Sequence, residues 1–586
     1  MLAALVLVTG GCESREPVPV PLVQAVVLDP YDNPLLLEYQ TYRSAVLAGD
    51  AERLKDLADG RDSFVAYRAA LTLARMPLSA AERVHYYRRV LALRIDDPLD
   101  RLAEQRLLLE YARTAEAAGF SEEALETYEA ALPDAAAVSA LQRLQTDPYK
   151  LANTFLQARR WREALQALGS RSASSIEAPA HRVLGQYNEA LEAYERWLEE
   201  APDDTDAQTG LAWTHYYLQN YEAADALFSE LGTDGLRGRA LIAKRAGDVD
   251  RAVALLAESG NAINLWWATG YLEADERYRE ALPLYLRLAQ GSSIYADDAA
   301  YRAYILAERL EETVLVEEAR SYLLANTFFA LKVGKPVELS FESTLEEVTP
   351  DAVPVATALA RINDLEAARG ELLFALRDAV DVAERVALAE QLQLLGEYRQ
   401  SQRTAANLLE EGVNDRRVWE LAYPQAYAGT VGAEAARYAL EPALIWAVMR
   451  QESAFFPEAL SRSGAKGLMQ FMPATWDEVA GRLKEPAGNP FVPEDSIRYG
   501  AYYLSWLIDY LGDIELAVPA YNGGPGYIKR LYEADFVDQN KDEFYREIDK
   551  QETREYLQAV LENYAVYQAL YGDAGETRGE WVIGNE

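Results

Sequence analysis

The sequence predicts an all-α protein: a long superhelix of helical hairpins, followed by a second helical domain that carries the chemistry. Three observations lead there. Between 37 and 425, Ala, Leu, Glu and Arg recur at helical spacing, and strand-like alternation is scarce. A short phrase pairing an aromatic or aliphatic residue with a small Ala returns along that stretch. From 426 to 571 helical phrases continue, but glycine loops bearing specific polar residues interrupt them. At 586 residues, half hydrophobic and 26% charged, the chain is long enough for several large cores, and disorder over most of its length is excluded.

The start, MLAALVLVTGGC, is apolar and uncharged, with small residues before Cys12. It resembles a truncated lipoprotein signal peptide over 1–12, which implies cleavage before Cys12 and a lipid on its sulfur. The apolar stretch is too short to span a bilayer. The following segment, 13–36, is punctuated by proline and reads as an extended tether. Cys12 is the only cysteine, so an intrachain disulfide and a cysteine-built zinc site are excluded.

Within 37–425 the phrase reads GFSEEALETYEAAL (119–132), ARRWREALQALG (158–169), GQYNEALEAYERWL (185–198), QNYEAADALFSEL (219–231), GDVDRAVALLAES (247–259), ERYREALPLYLRL (276–288) and GEYRQSQRTAANLL (396–409). The larger residues opening the first six are Phe120, Trp161, Tyr187, Tyr221, Val249 and Tyr278, at steps of 41, 26, 34, 28 and 29. Only the step from Tyr187 to Tyr221 matches the 34-residue tetratricopeptide period, so the array is tetratricopeptide-like and irregular. Each phrase is expected to open the second helix of a hairpin. The small residues Ala124, Ala164, Ala190, Ala224, Ala252 and Ala281 then admit a neighbouring helix. One hairpin cannot bury its apolar face alone, so neighbours must stack.

Charge narrows the function. With 57 Lys and Arg against 94 Asp and Glu, the net charge of −37 repels phosphate backbones, so nucleic acid is not expected as a partner. The three histidines are His85, His181 and His215, which excludes a Ser-His-Asp triad in the last third.

Four stretches of the last third stand out. In PALIWAVMRQESAF (442–455), Leu444, Ile445, Val448 and Met449 make an apolar helical face, and Glu452 falls on that side near the helix C-terminus. Desolvation and the negative end of the helix dipole would raise its pKa, as a general acid requires. In SRSGAKGLMQFMPAT (461–475), Gly464 and Gly467 permit tight turns, and a helix is expected to begin near Gly467 and project the Gln470 amide. In PAYNGGPG (519–526), Tyr521 and Asn522 offer a phenol and an amide able to hold an N-acetyl group. In QETREYLQAVL (551–561), Glu552 and Tyr556 lie four apart on one helix face.

Together the four resemble the soluble lytic murein transglycosylase family, in family order across about 130 residues. The matching residues are Glu452-Ser453, Gly464-Ala465, Gly467-Leu468-Met469-Gln470, Met472-Pro473, Ala520-Tyr521-Asn522 and Glu552-Thr553-Arg554 with Tyr556. The resemblance implies a lysozyme-like domain over 426–571 and a superhelical domain over 37–425; the remainder, 572–586, is expected to be a flexible tail. It implies that Glu452 is the sole catalytic acid and base. Glu452 would protonate the bond between N-acetylmuramic acid and N-acetylglucosamine, then take a proton from the muramyl C6 hydroxyl to leave a 1,6-anhydro end. Ser461, Gln470, Met472, Tyr521, Asn522 and Glu552 match sugar-cleft positions, and Tyr556 would orient Glu452. A single carboxylate suffices where the substrate's own N-acetyl group assists.

No metal or organic cofactor is implied. The expected partners are glycan strands, envelope proteins through the repeats, and a membrane through the lipid alone, in the periplasm at the outer membrane. Two departures bear on the cleft. Trp476 stands where the family has a small residue, and Pro519 should kink the helix before Tyr521. The alternatives are a hydrolytic muramidase on the same fold and a non-catalytic envelope scaffold.

Overall fold

The structure is a computed structural model that describes residues 33–94, 101–339, 341, 345–461, 463–534, 537 and 539–572. Cys12, the signal and most of the tether, and the tail beyond Gly572 lie outside the described residues. Among the described residues the chain is all-α, with helices joined by short turns and only isolated bridges, Leu460 to Lys466 and Lys466 to Phe471. None of these helices is long and apolar enough to cross a membrane. The first helix, Pro34–Ala48, starts three residues inside the expected tether, because Pro34 takes the first helical position and the Asn33 side chain accepts from Leu35 and Leu36 N–H.

The recurring phrase does open second helices. Trp161, Tyr187, Tyr221, Val249, Tyr278 and Tyr398 are each the first residue of a helix, and Phe120 is an N-cap. Ala124, Ala164, Ala190, Ala224, Ala252 and Ala281 are all fully buried. What joins the two helices is a repeated left-handed turn two residues before each second helix. Gly119, Arg159, Gly185, Gln219, Gly247, Glu276 and Gly396 all have φ between 56° and 82°. The next N–H reaches back over the turn, as in Gln186 to His181 O (2.9 Å), Asn220 to His215 O (2.9 Å) and Arg277 to Leu272 O (2.8 Å). This is the Schellman closure, which satisfies carbonyls that a helix end would leave bare.

The described residues fall into two compact units. One gathers those within 33–76, 86–94 and 341–502; the other gathers those within 77–85, 101–339 and 503–572. In the first, the chain's opening helices pack on helices more than 300 residues later. Tyr39 Oη donates to Glu371 Oε1 at 2.6 Å, and Arg43 pairs with Asp364 at 2.6 Å. Burial pushes Asp364 upward, but the Arg43 hydrogen bond, the Ala367 N–H and the Arg68 charge outweigh it and hold the carboxyl below its ordinary range. The Phe64 ring lies over Gly370, where a Cβ would come within 2.0 Å of it.

In the second unit, successive hairpins stack from Arg101–Ala117 to Phe328–Lys332. Most of their polar ties are exposed, but one is buried. Glu273 accepts from Tyr285 Oη at 2.7 Å and pairs with Arg302 at 2.5 Å.

Gly370→Ala is expected to destabilise the first unit by about 1–3 kcal/mol, because the Phe64 ring must move. Gly429→Ala, on a helix position with open space around it, is expected to stabilise it by about 0.5–1 kcal/mol. Urea unfolding of both variants against the parent checks the pair.

Candidate active site

Glu452 is the penultimate residue of helix Pro442–Ser453 and is half-buried. That helix is apolar on nearly every side: Leu444, Ile445, Trp446, Ala447, Val448 and Met449 are all buried. Its polar side chains tie it to the loop after helix Arg416–Ala422. Trp446 Nε1 donates to Ala426 O at 2.8 Å, Arg450 Nε donates to Ala422 O at 3.2 Å, and the guanidinium lies 4.4 Å over the Tyr423 ring. The helix stops abruptly. Ala454 and Phe455 are both left-handed, with φ of 47° and 65°, and Phe455 turns back into the core at 1% exposure. Beyond that stop, the Arg399 guanidinium covers the Phe456 ring at 3.7 Å. Desolvation first, then Arg403, pushes Arg399 down to about 10, with Glu458 opposing.

The next stretch corrects the sequence expectation. No helix begins at Gly467; Ser461 to Phe471 form a tight hairpin instead. Ser461 N donates to Ala465 O at 2.9 Å, Gly467 N to Ala459 O at 2.9 Å, and Lys466 and Phe471 exchange backbone bonds at 3.0 and 3.1 Å. The Ser461 hydroxyl accepts from Ala465 N at 2.9 Å. Gly467 has φ 76°, and a Cβ there would meet Pro490 O at 1.8 Å, so only glycine fits. Gln470 sits left-handed in this hairpin, with φ 47°. Its Nε2 donates to Gly467 O at 2.8 Å and Ala459 O at 3.2 Å, which turns the amide back onto the hairpin rather than out from a helix. The helix begins at Pro473, with Met472, 43% exposed, at its N-cap. Ser453 Oγ donates to Leu468 O at 2.8 Å and so joins the hairpin to the residue beside Glu452.

Trp476 is core. It is 5% exposed, its Nε1 donates to Gly488 O at 3.1 Å, and it stacks on Tyr499 at 4.2 Å between ring centres. Of the other acids nearby, Glu478 pairs with Arg482 at 2.7 Å.

Tyr521, Asn522, Glu552 and Tyr556 belong to the second unit. Helix Ile514–Gly523 runs on through Pro519, and Tyr521 and Asn522 form its last turn. Its start is fixed by Glu515, buried between Lys332 at 3.5 Å and Lys541 at 3.0 Å. The Tyr521 ring meets Tyr503 edge-on at 5.4 Å, and Tyr503 stacks in turn on Trp506 at 5.6 Å. Helix Gln551–Tyr571 starts beside them. Glu552, in its first turn, is exposed, whereas Tyr556 one turn on is buried. The Asn522 Oδ1 accepts from Thr553 Oγ1 at 2.7 Å, and its Nδ2 faces Glu552 Oε1 at 3.5 Å. The sequence alone gave Ser453, Thr553 and Arg399 no role. The first two sit inside matched motifs; nothing local marks the third.

Two half-buried carboxyls, Glu562 and Asp298, link helix Gln551–Tyr571 to the hairpins, and a third, Asp297, lies beside them. Glu562 Oε1 accepts from Phe328 N–H at 2.8 Å, and Asp297 Oδ1 from Leu324 N–H at 2.8 Å. Burial foremost, with the charges of Asp297 and Asp298 adding and the Phe328 N–H opposing, pushes Glu562 up to about 7. Burial likewise pushes Asp298 up to about 6, with Arg554 and Gln558 opposing and Asp297 adding.

Comparison with known proteins separates the repeats from the last third of the chain. Residues 429–543 match the family model described as Transglycosylase SLT domain, and residues 184–246, which hold the one 34-residue step, match Tetratricopeptide repeat. The chain therefore carries an SLT-type transglycosylase domain behind tetratricopeptide-like repeats. The membrane-bound lytic murein transglycosylases C of Yersinia pestis (strain Pestoides F) and Yersinia pseudotuberculosis (serotype O:1b, strain IP 31758) are each 41% identical over 122 residues, covering 19% of this chain and 34% of theirs. The chain thus spans about a third of the length of the curated relatives it matches. The 70 kDa soluble lytic transglycosylase of Escherichia coli is 19% identical and covers 92% of both chains with a TM-score of 0.52, a likeness of fold.

Gly467→Ala is expected to cost about 2–5 kcal/mol from left-handed strain and the Pro490 carbonyl, read as a lowered melting midpoint. Glu562 gives a pH prediction. Its folded pKa is raised, so its contribution is complete below the ordinary carboxylate range and is lost as pH rises through about 7. Glu562→Gln, which mimics the protonated form, should gain about 2–3 kcal/mol on the parent between pH 4.5 and pH 8. Denaturation of both proteins across that range checks it.

Proposed function

We propose that the chain is a lytic transglycosylase of peptidoglycan that uses Glu452 as its only general acid and base. The observation that carries this reading is the position of Glu452: a half-buried carboxyl at the end of a buried apolar helix, inside the segment that matches the SLT domain model. The relatives' names, lytic murein transglycosylase, support the substrate class.

The Glu452 carboxyl donates its proton to the oxygen linking N-acetylmuramic acid to N-acetylglucosamine, and the bond from that oxygen to the muramyl C1 breaks. The muramyl acetamido oxygen bonds to C1 and takes up its positive charge. The Glu452 carboxylate then removes the C6 hydroxyl proton, O6 bonds to C1 as the acetamido oxygen leaves, and a 1,6-anhydro end results. Glu452 finishes protonated, ready for the next cycle. In this reading Ser461, Gln470, Met472, Tyr521, Asn522 and Glu552 bind sugar, and Tyr556 orients the acid. The protein works in the periplasm, held to the outer membrane by lipid on Cys12.

Mass spectrometry of muropeptides released from purified murein sacculi tests the reaction. Products with 1,6-anhydro ends are expected from the parent, with at least a hundredfold loss in Glu452→Gln, since proton transfer supplies about 10²–10⁴ in rate. Full activity in Glu452→Gln would overturn the role of the acid. Reducing muramyl ends would make the protein a muramidase.

A further inference from the structure

The chain holds 94 acids against 57 Lys and Arg, so a cation with no carboxylate beside it is out of the ordinary here. Helix Leu236–Arg245 carries four cations and no acid. One of them, Arg239, turns to the neighbouring second helix and pairs with Asp225 at 3.2 Å. Arg237, Lys244 and Arg245 pair with no carboxylate among the described residues, and each lies over an aromatic ring instead. The Arg237 guanidinium stands 5.6 Å from the centre of the Trp267 ring, Lys244 Nζ 4.8 Å from Tyr271, and the Arg245 guanidinium 5.4 Å from Tyr221. A ring orients a cation without neutralising it, so the charge stays available to a partner.

These groups form one continuous surface. Helices Thr205–Tyr217, Leu236–Arg245 and Ala262–Ala274 are the first helices of three successive hairpins. Tyr216 meets Tyr221 edge-on at 5.7 Å, and Trp267 meets Tyr271 edge-on at 6.3 Å. Burial foremost, then the Tyr216 phenol, pushes Tyr271 up, with Arg237 opposing, so all three first helices bring a side chain to that point. The surface is open: Arg237 and Arg245 are exposed, and Trp267 is 41% exposed. Trp, Tyr and Arg are the residue types that dominate the energetics of protein interfaces.

The chemistry of the occupant follows from what is presented. Three of the rings already have a face covered by a cation, so the surface offers N–H donors backed by aromatic carbon rather than bare ring faces for a sugar. Such donors suit carboxylates, and the ring edges suit apolar side chains. Arg237 and Lys244 lie seven residues apart, about 10 Å along the helix, the length of about three residues of extended peptide. We propose that the first helices of these three hairpins form a docking face for an extended acidic peptide segment of a partner protein, with Arg237, Lys244 and Arg245 taking its carboxylates and Trp267 its apolar side chains. The net charge of −37 repels such a segment elsewhere, which directs it to this face.

Fluorescence anisotropy of the full chain with a labelled peptide of three Glu-Leu-Asp-Pro repeats tests the proposal. The comparison peptide has Gln and Asn in place of Glu and Asp. The parent should bind the acidic peptide at least tenfold more tightly than the amide one. Joint replacement Arg237→Gln, Lys244→Gln and Arg245→Gln should weaken the acidic peptide at least tenfold, about the worth of one charged hydrogen bond, with an unchanged melting midpoint. Arg239→Gln, on the same helix but turned to Asp225, should leave binding as it was. No binding of the acidic peptide by the parent, undiminished binding in the triple variant, or an equal loss in Arg239→Gln overturns the inference. So does murein held through these three cations by a chain that ignores the peptide, measured by sedimentation with sacculi in the Glu452→Gln background. A parent that binds the peptide through these cations yet releases no muropeptide upholds the inference and overturns only the reaction proposed for Glu452.

Discussion

One hydrogen bond, from Ser453 Oγ to Leu468 O, joins the two elements on which the acid side of the site depends. Ser453 is the last residue of the helix that carries Glu452, and Leu468 belongs to the hairpin that carries Gln470. The bond matters because the helix has no freedom elsewhere. Its apolar faces are buried, its Trp446 and Arg450 are tied to backbone carbonyls, and two left-handed residues close it. A carboxyl one residue before such a stop has its position set by the backbone. Glu452 is pre-organised in this sense, carried on a rigid element with its support already in place.

The same logic explains why the helical array and the chemistry share a chain. In the first unit, Ala422 and Ala426 supply the carbonyls that hold the acid helix, and Arg399 covers the Phe456 ring beyond it. In the second, Lys332 pairs with Glu515 and Phe328 N–H donates to Glu562, so the last residues of the hairpin array hold both helices that carry Asn522 and Glu552. The hairpins thus contribute partners to each set of site residues separately. Their own regularity comes from the repeated left-handed closure rather than from a fixed period, which is how steps of 26 to 41 residues still stack.

Much of this was legible in the sequence. The aromatic openings and the small alanines located the second helices because a close helix contact admits only a small residue, three places after a larger one. The left-handed turns were legible only where glycine marks them; Arg159, Gln219 and Glu276 take the same conformation under tertiary constraint. The expectation of a helix near Gly467 followed from reading Gly464 and Gly467 as the turn that leads into one. Two positive-φ glycines and the bonds across the hairpin won, and Pro473, a natural first helical residue, was the better signal. Trp476 read as a departure bearing on the cleft because it directly follows a matched motif, but its indole N–H finds Gly488 O in the core. The bond between Thr553 and Asn522 was out of reach, since the two lie 31 residues apart and only the fold brings them together.

The central claim is that the muramyl C6 hydroxyl, and not water, closes the reaction that Glu452 begins. Digestion of murein sacculi in water enriched in oxygen-18 tests it most directly. The account predicts released muropeptides that are 1,6-anhydro and carry no heavy oxygen at the muramyl C1. Reducing ends labelled at C1 would contradict it.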